Sequence, residues 1–217
     1  RTAGVAFTGS TATAMAINRA LAARSGPIVP LLAETGGLNA MLVDSSALPE
    51  QVVSDAIASA FNSAGQRCSA LRVLCLQKEI APRVIALLEG ATAELILGDP
   101  ARLETDVGPV IDREALGMLE AHAAKMDREA KLVCKAMLPE GLAGTFFAPR
   151  AYLLPGLDAI DREVFGPILH IVTFEARELE AMVDAVNAKG YGLTLGIHSR
   201  IEETVETVRR RARAGNV

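Results

Sequence analysis

The sequence predicts an α/β fold organised around a mostly parallel sheet. Short apolar runs alternate with amphipathic stretches of roughly ten to eighteen residues, the pattern of successive βα units. The turns between them are rich in Gly, Pro, Ser and Asn, residues that end one element and cap the next. No internal repeat or low-complexity tether interrupts the pattern, so a domain boundary is expected as a change of sheet and not as a flexible linker.

Val5 to Phe7 reads as the first strand and Thr11 to Ala23 as the helix after it. Ile28 to Ala33 and Asn39 to Val43 follow as strands, then Pro49 to Asn62 as a helix whose Pro49 sits in the first turn, where a missing N–H costs nothing. Beyond Cys68 the pattern gives strand Leu71 to Gln77, helices Ile80 to Leu97 and Asp112 to Lys125, and strands Lys131 to Cys134 and Phe146 to Leu153. The remaining elements are strand Ile168 to Phe174, helix Leu179 to Ala188, strand Thr194 to Ser199 and helix Ile201 to Ala214. The change of sheet is expected near Gly65 to Cys68, dividing the chain into residues 1–66 and 67–217.

A chain of 217 residues, 50% hydrophobic with a net charge of −4, can bury one or two cores. No apolar run approaches the ~18 residues of a membrane span, and Arg1-Thr2-Ala3-Gly4 lacks the layout of a signal peptide, so a cytoplasmic location is expected. Cys68, Cys75 and Cys134 have neither paired nor metal-ligand spacing, which argues against a disulfide framework and against zinc. The basic cluster Arg209-Arg210-Arg211 with Arg213 fits the last turn of a helix better than a nucleic-acid footprint.

Cys68, in Ser63-Ala64-Gly65-Gln66-Arg67-Cys68-Ser69-Ala70, is the leading nucleophile candidate, because a Gly-bearing turn after a long helix delivers a thiol beside a cation. An adjacent cation favours the thiolate, the reactive form, and Arg67 is the candidate for that role. Cys75, inside Val73-Leu74-Cys75-Leu76, reads as core. Glu34 ends the apolar run Ile28 to Ala33 and precedes Gly36-Gly37; a carboxylate closing a buried strand is costly unless paired or used, and ligands bind at strand ends in open α/β sheets.

Phe7-Thr8-Gly9-Ser10-Thr11 reads as strand, turn and helix start. Gly9 lets backbone approach a ligand, and Ser10 or Thr11 caps a helix whose free N–H groups suit phosphate oxygens. In Glu163-Val164-Phe165-Gly166-Pro167 a carboxylate and an aromatic lie two apart before a strand, a pairing that fits either an ordinary loop with Phe165 plugging the core or a ligand contact. His122, His170 and His198 share no spacing and are expected to be structural.

Phe7-Thr8-Gly9-Ser10-Thr11, Glu34-Thr35-Gly36-Gly37, Gly65-Gln66-Arg67-Cys68 and Glu163-Val164-Phe165-Gly166-Pro167 together resemble, in order and rough spacing, the aldehyde dehydrogenase superfamily. Gly26-Pro27-Ile28-Val29-Pro30, the stretch from Asn39 to Val53 and Thr105-Asp106-Val107-Gly108-Pro109-Val110-Ile111-Asp112 are similar to the glutamate semialdehyde dehydrogenase module of proline utilization A. The resemblance covers essentially the whole chain. It implies an aldehyde dehydrogenase-like fold: the second half of a Rossmann-type nucleotide domain in residues 1–66, then a thiol-bearing catalytic domain in 67–217.

The resemblance also implies roles. Cys68 would attack the aldehyde and become a thioester, and Glu34 would activate the water that hydrolyses it. Gly9 and Ser10 would lie along the NAD pyrophosphate, Glu163 would bind the nicotinamide ribose and Phe165 would pack near the nicotinamide. The implied reaction is NAD-dependent oxidation of L-glutamate γ-semialdehyde to L-glutamate. The implied partners are a small-molecule aldehyde, a second copy of the full protein and a proline dehydrogenase domain on the same chain, with neither nucleic acid nor membrane insertion. The family's Pro-Trp-Asn segment and its later aldehyde-gripping loop are absent from these residues, so the chain is expected to be an inactive piece that binds NAD weakly or not at all and covers its open sheet edge by self-association or by rearranging its first ~60 residues.

Overall fold

The computed structural model describes residues 2–217; Arg1, on which the expectation about the chain's start partly rests, lies outside the described residues. Two sheets are present among the described residues. Strands β1 (Val5–Thr8) and β2 (Leu31–Glu34) form a two-stranded parallel sheet, with helix α1 (Thr11–Ala22) between them in sequence. A six-stranded sheet has the order β5-β6-β7-β4-β3-β8, built from β3 (Asn39–Val43), β4 (Leu71–Gln77), β5 (Lys131–Lys135), β6 (Arg150–Leu153), β7 (Ile168–Phe174) and β8 (Leu195–His198). Its pairings are parallel except β5 with β6.

The change of sheet therefore falls at Gly36-Gly37, between β2 and β3, and not near Gly65 to Cys68. A boundary at 66/67 would cut the larger sheet between β3 and β4, which pair from Asn39 with Leu71 to Val43 with Leu76. The core agrees: its contiguous buried cluster begins at Leu38, whereas α1 buries only Ala14. β3 and β4 are buried on both faces, as central strands of a parallel sheet must be when helices cover them. Helices α2 (Pro49–Phe61) and α3 (Ala81–Ala93) pack on each other, α4 (Arg113–Glu129) meets β5, and α5 (Leu179–Ala188) packs on α6 (Glu202–Arg211). None of the described helices is long and apolar enough to cross a membrane.

Three strands, β3, β4 and β7, and helix α5 coincide with the sequence reading. Where element ends differ, local chemistry accounts for it. The strand expected from Ile28 starts at Leu31 because Pro27 and Pro30 lack N–H donors, and Ile28 is 98% exposed. Likewise β6 starts after Pro149, whose carbonyl accepts from the Ala136 N–H at 2.8 Å. Helix α3 stops at Ala93, before Leu97 bridges to Val107, and α4 runs on to Glu129 from an Asp112 cap whose carboxylate accepts the Ala115 N–H. The basic run lies in the last turn of α6, with Arg211 paired to Glu180 and Asp184 of α5.

Candidate active site

Cys68 is exposed, while Cys75 and Cys134 are buried. Burial pushes the Cys75 thiol up to about 12 and raises that of Cys134 as well. The loop that presents Cys68 is built on unusual backbone: Ser63 (φ 56°), Ala64 (φ 53°) and Gly65 (φ 65°) are successive left-handed residues. For the two non-glycine residues this conformation costs on the order of 1–3 kcal/mol each, so the surroundings must hold it. Gln66 does part of that: its Oε1 accepts the Ile111 N–H at 2.8 Å and its Nε2 donates to Ser63 O at 3.1 Å. Asn39, buried at the start of β3, does more. Its Nδ2 donates to Cys68 O at 2.7 Å and to Ala70 O at 2.8 Å, and its Oδ1 accepts the Thr194 N–H at 3.2 Å.

Arg67, expected as the cation beside the thiol, instead donates from Nε to Ser63 Oγ at 3.0 Å and is exposed. The buried cation of this region is Arg72, fully inaccessible and the only charged residue of β4. It donates to Glu163 Oε1 from Nη2 at 3.1 Å and from Nε at 3.3 Å, to Arg67 O at 3.1 Å and to Gly166 O at 3.0 Å. Its guanidinium also lies 5.3 Å from the centre of the Phe165 ring. Burial lowers its proton affinity, and the charge of Glu163, then that of Cys68, oppose the effect. Sequence reasoning missed Arg72 and Asn39; a lone Arg at the second position of an otherwise apolar strand was the available signal for the first.

Glu163 has its side chain 13% exposed and its N–H donates to the Tyr191 hydroxyl at 3.4 Å. Arg72 takes one of its oxygens; the second faces Gly36, where a Cβ would overlap it. Phe165 is 44% exposed and so plugs no core. Gly36 has φ +80°, and a Cβ at the next residue, Gly37, would stand 2.7 Å from Cys68 O. The turn after Glu34 thus passes under Glu163 and reaches the carbonyl of Cys68. Glu34 itself is exposed, as is most of β2, so the expectation of a carboxylate closing a buried strand is corrected: β2 lies in a two-stranded sheet apart from the main core, and water reaches its end. The Glu34 carbonyl accepts the Gly9 N–H at 3.1 Å, which joins the ends of β1 and β2.

Ser10 is the N-cap of α1, its Oγ accepting the Thr13 N–H at 3.1 Å, and Thr11 Oγ1 donates to Thr35 O at 3.3 Å. Gly9 is exposed and the Phe7 ring lies against it closely enough that a Cβ there would clash. The structure therefore brings Cys68, Glu163, Phe165 and the Glu34–Gly37 turn into one neighbourhood, with Gly9 and Ser10 at the adjoining strand end. It leaves the histidines out: His122 and His170 pair Nε2 to Nε2 at 2.9 Å, and His198 pairs with Asp55 at 3.2 Å.

The aldehyde dehydrogenase family profile matches residues 1–217. The bifunctional protein PutA of Klebsiella aerogenes is 50% identical over the whole chain, and 1-pyrroline-5-carboxylate dehydrogenase of Geobacillus kaustophilus is 30% identical over the whole chain. The chain spans 17% of the length of the first and 42% of the second. A crystal structure of Bradyrhizobium japonicum proline utilization A superposes on 99% of the chain with TM-score 0.95 at 53% identity, the chain covering 22% of it. A Thermus 1-pyrroline-5-carboxylate dehydrogenase structure with bound NAD matches 98% of the chain, and 42% of its own length, with TM-score 0.89 at 29% identity. With its two sheets, its exposed cysteine loop and a family match along its full length, the chain belongs to the aldehyde dehydrogenase family.

Proposed function

We propose that this chain supplies the nucleophile and the base of an NAD-dependent aldehyde oxidation, with L-glutamate γ-semialdehyde as the aldehyde and L-glutamate as the product, a step of proline catabolism. The observation that carries the reading is the approach of three segments: Gly37 against the Cys68 carbonyl, Gly36 against the Glu163 carboxylate, and Arg72 between Glu163 and the residue before Cys68. Only one of the three thiols is accessible there. The names of the relatives, PutA and 1-pyrroline-5-carboxylate dehydrogenase, support the substrate class, since 1-pyrroline-5-carboxylate is the cyclic, dehydrated form of that semialdehyde.

The residues fit a dinucleotide. The hydroxyl of Ser10 is turned into the cap of α1, which leaves the first N–H groups of the helix for phosphate oxygens beside the exposed Gly9. Glu163 keeps one carboxylate oxygen clear of Arg72 for ribose hydroxyls, and the exposed Phe165 ring offers an apolar face beside it. When bound, NAD supplies the hydride acceptor.

Cys68 performs the first step: its thiolate adds to the aldehyde carbon, and the backbone N–H of Cys68 is suited to donate to the developing oxyanion. Loss of hydride from that adduct leaves a thioester on Cys68. Glu34, exposed at the end of β2, then takes a proton from water, whose oxygen attacks the thioester and releases the carboxylic acid and the thiol. Homo-oligomerisation of the whole protein, a proline dehydrogenase domain on the same polypeptide and a cytoplasmic location belong to the same reading. It is tested by assaying NADH formation from glutamate semialdehyde in the full-length protein and its Cys68→Ala variant. Turnover in the wild type that is abolished in the variant is expected; turnover that survives the substitution overturns the assignment of Cys68.

A further inference from the structure

We infer that Arg72 is a positioning residue that fixes the Cys68 loop and the Glu163–Gly166 loop to one another and holds a buried positive charge against the peptide that leads into Cys68. The inference rests on the reading of Cys68 as nucleophile and Glu163 as part of the cofactor seat, and on the burial and full donor set of Arg72. Arg72 lies at 0% exposure in a strand where every other side chain but Gln77 is apolar. Burying a guanidinium costs several kcal/mol unless its donors are met. Here four donor contacts are made, two to the Glu163 carboxylate and one each to Arg67 O and Gly166 O.

The partners matter more than their number. Arg67 O belongs to the peptide that ends at Cys68, while Glu163 and Gly166 flank the exposed Phe165, whose ring the guanidinium also faces. The two loops touch at a second point, where a Cβ on Gly65 would overlap the carbonyl of Gly166. A planar fork can hold a carboxylate and two carbonyls in divergent directions at once, which an ammonium on a flexible stem cannot do with the same geometry. One side chain therefore sets how far the ribose-binding carboxylate stands from the Cys68 loop, with the guanidinium between the two.

A plain buried ion pair would stabilise the fold without this consequence, and charge-dependent thiol chemistry separates the two roles. In the full-length protein, the rate of Cys68 alkylation by iodoacetamide at pH 7 is followed by mass spectrometry for wild type, Arg72→Met, Glu163→Gln and the double variant, with circular dichroism as the check on folding. Loss of a buried neighbouring cation should slow alkylation about tenfold in Arg72→Met. Removal of the compensating anion should speed it in Glu163→Gln, and the double variant should fall between the two. Folded Arg72→Met that alkylates at the wild-type rate overturns the inference, as do single variants that shift the rate in the same direction. If Arg72→Met does not fold, Glu163→Gln decides alone: unaltered or slower alkylation overturns the inference. Wild-type protein in which Cys75 or Cys134 reacts before Cys68 would instead overturn the functional reading beneath it.

Discussion

The side-chain amide of Asn39 holds the backbone of the Cys68 loop, donating 2.7 Å to the carbonyl of Cys68 and 2.8 Å to that of Ala70. Its own oxygen is taken by the Thr194 N–H, so all three contacts depend on the amide and on its orientation. Asn39→Ala leaves two carbonyls and one N–H of a buried region without partners, at about 1–3 kcal/mol for each group that water cannot reach. Urea denaturation should show a loss of about 2–4 kcal/mol in stability. Asn39→Asp should be at least as damaging, because a carboxylate would face two carbonyl oxygens. A variant within about 0.5 kcal/mol of wild type would mean that the loop is held by other contacts.

Thiol reactivity should separate cleanly. Cys68 is exposed, Cys75 has its thiol pushed up to about 12 by burial and Cys134 is raised in the same direction, with its Sγ donating to Thr92 Oγ1 at 3.3 Å. Brief iodoacetamide treatment followed by peptide mapping should find label on Cys68 well before the other two. Earlier labelling of Cys75 or Cys134 would remove Cys68 as the nucleophile.

Glu34 should act after hydride has left the substrate. In Glu34→Gln of the full-length protein, a burst of NADH near one equivalent per site should be followed by turnover slowed at least about tenfold, since only thioester hydrolysis needs the carboxylate. Rapid-mixing absorbance at the NADH band reads both phases. Loss of the burst would move Glu34 to the first step, as an activator of the thiol.

Acid should destabilise the fold through His170. This side chain is buried at 1% exposure, and burial, reinforced by His122 and then Arg72, lowers it from 6.5 to about 4. An unfolded chain binds the proton more readily, so the stability is fully present above pH 6.5 and is lost as pH falls towards 4. At pH 5 the loss from this group is about 2 kcal/mol. His122, shifted in the same direction by burial, adds to it. Urea midpoints at pH 7 and pH 5 should differ accordingly, and His170→Gln should flatten the difference. An equal drop in the variant would assign the acid sensitivity elsewhere.

Local patterns in the sequence were sufficient for the α/β class and for several elements to the residue. β3, β4 and β7 are short apolar runs bounded by turn residues, and their burial on both faces leaves no periodicity for a competing helix. The Pro49 start of α2, the Ser10 cap and the basic last turn of α6 were legible for the same reason, since each depends on neighbours within one turn. Cys68, Glu34, Gly9, Ser10, Glu163 and Phe165 stood out because motifs keep chemistry local. Tertiary structure alone decided the rest. That β3 joins β4, which moves the change of sheet to Gly36-Gly37, depends on hydrogen bonds between residues some thirty positions apart. That Arg72 and not Arg67 is the buried cation depends on where the Glu163 loop, 91 residues on, comes to lie. Burial and long-range pairing are properties of the assembled chain, and no window of sequence contains both partners.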